Sequence, residues 1–81
     1  MIHYLTINDA ESGKQLIEFK SSFRLQVGDR VWMDDGEIEV GAETEVFKRY
    51  YHRGMVGIVV GVDVFVNNKH IRQLVEIAPK P

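Results

Sequence analysis

The chain contains no cysteine. That excludes disulfides, cysteine-based zinc sites and thiol catalysis together, and it fits a reducing compartment. Proline is scarce: two residues, Pro79 and Pro81, both at the C-terminal end, where they predict a frayed tail over 79–81. No apolar run reaches the ~20 residues that a membrane helix needs. The opening Met1 to Asn8 has no basic segment leading into an apolar one, so no signal peptide is expected. A cytoplasmic protein without membrane contact is the expectation. Helical periodicity of useful length is missing, as are internal repeats, low-complexity segments and linkers. A strong excess of one charge is also missing: the formal net charge is −2 and the isoelectric point about 5.9. That argues against wholesale binding to nucleic acid or to an anionic membrane.

What is present is alternation. From Met55 to Val66 the even positions Val56, Ile58, Val60, Val62, Val64 and Val66 are all β-branched. A period of two in β-branched residues is a strand signal, and it predicts one wholly apolar face that must be covered. The odd positions are mixed and include Gly57 and Gly61, where a strand bends or another backbone comes close. The even-face pattern never breaks, which favours one bent strand over two short strands with a turn at Gly61-Val62-Asp63.

Taken in order, Ile2 to Asn8 alternates as a strand. Asp9 to Lys14 reads as a turn, with Gly13 supplying a positive φ. Leu16 to Lys20 completes an N-terminal hairpin. Val27-Gly28-Asp29 is a turn before Arg30 to Met33. That strand is expected to pair with Glu37 to Gly41 through Asp35-Gly36, since Asp-Gly suits a type I′ turn. A two-residue loop there sets Met33 opposite Ile38 and Val31 opposite Val40, two apolar pairs on one face. Asn67-Asn68 is a turn, His70 to Gln73 a short 3₁₀ turn, and Leu74 to Ile77 the closing strand. At 81 residues the chain is a single domain, over 1–78. The fold class expected is all-β: a small antiparallel barrel of five to six strands, with the N-terminal hairpin as an addition.

The order of signals has a family likeness. Val27-Gly28-Asp29-Arg30-Val31 starts a strand, Gly54-Met-Val-Gly-Ile-Val-Val-Gly-Val-Asp63 leads a valine-rich one, and Leu74-Val-Glu-Ile77 closes. Over roughly 25–78 this resembles the SH3-like small barrels, including the KOW-type domains. The resemblance implies a binding module, for RNA, protein or a neighbouring subunit, rather than an enzyme.

Three constellations bear on function. Residues 1–46 carry ten acids and four bases, and 47–81 carry two acids and six bases, so the chain is dipolar along its sequence. The bases concentrate in Phe47, Lys48, Arg49, Tyr50, Tyr51, His52 and Arg53, an aromatic and basic segment without clean alternation. Cations hold phosphate and rings stack bases, but tyrosine and arginine are equally the residues that anchor protein interfaces. Trp32 reads either as core or as an exposed contact residue; its predicted strand face is shared with Arg30 and Glu39, which fits partial exposure. The acids Asp34, Asp35, Glu37, Glu39, Glu43 and Glu45 lack calcium-loop spacing and read as a solvated strand face. His3, His52 and His70 have no ligand spacing. No metal or cofactor is expected. No nucleophile elbow, phosphate loop or dinucleotide fingerprint occurs, so an enzyme is not expected. The functional expectation is a non-catalytic interaction module binding a protein partner or its own copy. The contact residues would be Trp32 and Phe47 to Arg53; binding of RNA or single strands by 48–53 is the alternative.

Overall fold

A computed structural model describes residues 1–32 and 56–80. Among these residues all regular structure is β. The strands are β1 (Ile2–Asp9), β2 (Gln15–Lys20), β3 (Arg30–Val31), β4 (Val56–Val66) and β5 (His70–Lys80). They form one mixed sheet in the order β2-β1-β5-β4-β3, curled into a half-barrel. No helix among the described residues is long and apolar enough to cross a membrane.

The sheet corrects the all-antiparallel expectation. β1 runs antiparallel to β2 but parallel to β5, with Ile2 opposite His70 through to Asp9 opposite Ile77. The first strand is therefore not an appendage: it lies inside the sheet, between β2 and β5. Alternation could not reveal this, because a period of two is the same for either strand direction. The predicted pairing of Met33 with Ile38, and the whole 33–55 stretch, lie outside the described residues.

The core sits on the inner, concave face. Leu5, Ile7, Leu16, Val59, Val75 and Ile77 are buried there, with Ile17, Leu25, Val31 and Val62 packed against them. The cross-strand rows follow from the register. Ile17, Ile7, Val75 and Val62 form one row, and Phe19, Leu5, Gln73 and Val64 the next.

Gln73 explains why sequence reading shortened β5. A polar residue in the inward-facing series Ile71, Gln73, Val75, Ile77 looks like the end of a strand. It is nevertheless buried, because its Oε1 accepts the N–H of Leu25 at 3.3 Å. The amide thus ties down the 21–29 connection where it crosses from β2 at one edge to β3 at the other. β5 also continues through Pro79 and Lys80, which pair with Gly57 and Val56, where a frayed tail was expected. A proline is tolerated there for a geometric reason. Odd residues of β5 direct their backbone groups toward β1: Ile77 O accepts from Ala10 N–H at 2.8 Å. β1 pairs no further than Asp9, so the N–H that Pro79 lacks has no partner to lose.

β4 is one strand, in keeping with the bend, but its covered face is not the one the alternation indicated. The register shifts between Val59 and Gly61, so Val60 is an extra residue. Before this bulge the odd residues Gly57 and Val59 face the core; after it the even residues do, beginning with Val62. Val60 itself is half exposed.

The turns follow their residue chemistry. Asp9 Oδ2 accepts from Ser12 N–H at 3.0 Å and Ser12 Oγ at 2.7 Å, and Gly13 closes the turn at φ 73°. Asn67 Oδ1 accepts from the N–H groups of Lys69 and His70, each at 2.8 Å, fixing the β4–β5 hairpin.

Candidate interaction surface

The two edges of the sheet are finished differently. β2 is six residues long, and its exposed Glu18 and Lys20 put charge along that edge. Charged side chains on a short edge strand discourage further pairing. At the other side, β3 covers only the start of β4, with Arg30 opposite Ile58 and Val31 opposite Gly57. Gly28 N–H donates to Val59 O at 2.8 Å, and Val59 N–H donates to Asp29 O at 2.9 Å. Beyond Val59 no described strand lies on that side of β4. Among the described residues, 60–66 therefore have no neighbouring strand on that side.

The direction of the free backbone groups can be worked out. In an antiparallel ladder, alternate residues bond to opposite sides. Asn67 N–H donates to His70 O at 3.0 Å, so position 67 bonds toward β5. Counting back by twos, Phe65, Asp63 and Gly61 also bond to β5, opposite Arg72, Leu74 and Glu76. Val62, Val64 and Val66 point their N–H and C=O groups outward.

This edge lacks the usual protection. Asp63 is the only charged residue between Val60 and Val66, and there is no lysine or proline. The side chains are apolar on both faces: Val64 is 48% exposed and Val66 66% on the inner side, and Phe65 is 56% exposed on the outer. Exposed apolar residues scattered singly are ordinary. Here three follow in succession on a strand with no described neighbour on that side.

The outer face is mostly engaged with itself. The register sets Lys20, Tyr4, Arg72 and Phe65 in one row across four strands. The Arg72 guanidinium lies 5.5 Å from the Tyr4 ring centroid, and the His70 ring meets Tyr4 edge-on at 5.6 Å. Arg72 Nε is 3.8 Å from Glu18 Oε2, and Thr6 Oγ1 donates to that same oxygen at 2.7 Å. This partly exposed pair adds little stability, but it fixes the rings and guanidinium against each other. At the other end of β4 and β5, a shallow groove is lined by Gly28, Arg30, Ile58, Ala78, Pro79 and Lys80, with a cation on either side of an apolar floor. No group of three or more His, Asp or Glu side chains among the described residues could hold a metal ion.

Of the contact residues expected from sequence, only Trp32 is described. It is 60% exposed, directly after Val31, which packs on the core. Phe47, Lys48, Arg49, Tyr50, Tyr51, His52 and Arg53 lie outside the described residues, as do the acids of 34–45. The β4 edge was missed by the sequence reading. Its signal was there, in the consecutive Val64-Phe65-Val66, but the even-face pattern had assigned those valines to a covered face. No protein-family model, curated protein or solved structure matches this chain.

Proposed function

We propose that this protein is a non-catalytic interaction module that binds a protein strand along the open edge of β4. The observation that carries this is the 60–66 edge, apolar on both faces and without a neighbouring strand among the described residues, on a sheet whose other edge is charged. Strand addition supplies both parts of recognition: backbone hydrogen bonds from Val62, Val64 and Val66, and side-chain contacts from alternate residues. The curled sheet supports the small-barrel, SH3-like comparison, whose members serve as binding modules. Trp32 and the 47–53 segment remain the second part of the proposed contact surface. Trp32 stands at the end of β4 remote from Val66, so the two would serve as separate contacts.

A short peptide of alternating valine and threonine, flanked by lysines, is a suitable probe for such an edge. Titrated into isotope-labelled protein, it is expected to shift the amide resonances of Val62, Val64 and Val66 most. Shifts confined to the Trp32 indole and its neighbours would move the binding surface away from β4. No shift anywhere at millimolar peptide would count against strand addition.

A further inference from the structure

We propose that the groove beside the start of β4 is a binding site for a small organic anion, one acidic group joined to an apolar body. The site is separate from the 60–66 edge and does not depend on it.

The groove is built by the register. Arg30 lies opposite Ile58, and Ile58 opposite Ala78, so the three form one row across β3, β4 and β5. All three face outward, because their neighbours Val31, Val59 and Ile77 pack on the core. Lys80 follows two residues after Ala78 and shares its face. Ala78 is the smallest side chain of the row, so the sheet surface dips there. Ile58, Ala78 and Pro79, none of them fully buried, make an apolar floor. On the flank beside Arg30, a Cβ added at Gly28 would meet nothing within 4 Å, so that side stays open. The volume is about 520 Å³, which suits a small molecule and is far too little for a folded partner.

The charge around the floor is of one sign. β3 and β5 both flank β4, so Arg30 and Lys80 stand on banks about 10 Å apart, twice the spacing of neighbouring strands. Both residues are exposed and long, and an anion above Ile58 is within reach of each. No acid lines the groove. Glu76, the preceding outward residue of β5, lies opposite Gly61 and outside it. The two parts of the groove call for two parts in the ligand. A carboxylate or phosphate group takes the Arg30 fork and the Lys80 ammonium. An apolar body covers Ile58, Ala78 and Pro79. An inorganic anion uses only the first part, and a neutral apolar molecule only the second.

4-Phenylbutyrate, a carboxylate on an aryl-alkyl body, is the probe. Titrated at low salt into the isotope-labelled intact chain, it should shift the amides of Gly28, Arg30, Ile58 and Ala78 saturably. 4-Phenylbutanol and inorganic phosphate should each bind at least about fivefold more weakly. The double variant Arg30→Gln, Lys80→Gln changes only exposed side chains and should lose the same factor. Added salt should weaken binding to the parent but not the residual binding to this variant. Ala78→Leu fills the floor, keeps both cations, and should also bind at least about fivefold more weakly. The absence of saturable shifts at these four amides would overturn the proposal. So would an alcohol or a phosphate that binds as tightly as the acid, or either variant binding as the parent does.

Discussion

Replacing Ile77 with alanine should leave the protein barely folded. Ile77 is fully buried, in the middle of the sheet, where β5 lies between β1 and β4. It lies opposite Asp9 in β1 and Val59 in β4, and both are buried. Truncating a fully packed isoleucine removes transfer free energy and leaves a cavity, at a cost of ~2–5 kcal/mol. A domain of this length is expected to have roughly 4–12 kcal/mol of stability in all. The neighbours cannot close the gap cheaply, because they belong to three strands already locked in register. Urea denaturation followed by circular dichroism should show a midpoint shift corresponding to at least ~2 kcal/mol. A loss below ~1 kcal/mol would mean that Ile77 is not the centre of the core.

The second large effect comes from the same contact approached from the other side. A Cβ added at Gly57 would lie 2.6 Å from Ile77 Cδ1, 3.4 Å from Ile77 Cβ and 3.3 Å from Val31 O. At 2.6 Å something must shift, and the side chain that would have to give, Ile77, is fully buried. Gly57→Ala should therefore cost ~1–3 kcal/mol, as overpacking does. Ile77→Val deletes the Cδ1 that makes the closest contact. The double variant Gly57→Ala, Ile77→Val should consequently be more stable than the two single losses added together, by about 0.5 kcal/mol or more. A four-way stability comparison reads this coupling. Strict additivity would show that the alanine is accommodated by a backbone shift near Val31 instead.

These two residues also show how far the sequence could be read. The turns at Asp9–Lys14, Val27–Asp29 and Asn67-Asn68 were legible because asparagine, aspartate and glycine act through local hydrogen bonds and backbone freedom. The long strand through Val56–Val66 was legible from its β-branched alternation. Its inward face was not, because one extra residue at Val60 reverses the phase, and a bulge leaves no mark in a run of valines. Gln73 concealed the first half of β5, since its burial depends on an acceptor role toward Leu25 that only the folded chain provides. The parallel pairing of β1 with β5 depends on contacts between the two ends of the sequence, and alternation carries no information about neighbours. Trp32, which the sequence left open between core and contact residue, is 60% exposed. The β4 edge was hidden for a different reason: which strands flank β4 is a tertiary fact, and among the described residues none lies beside 60–66.

The central claim is that this edge carries the association, and Val64→Lys is the substitution that addresses it. Val64 is half exposed, so a lysine can be accommodated in a single chain, and lysine is a common means of closing an edge to pairing. Titration of the alternating valine–threonine peptide into the intact chain and into this variant, read from the amide resonances, is the most direct measurement. The intact chain should show saturable shifts at Val62, Val64 and Val66, while Val64→Lys, with an unchanged circular dichroism spectrum, should bind at least about tenfold more weakly. An intact chain without shifts at these valines, or a variant that binds the peptide as tightly as the parent, would contradict the account.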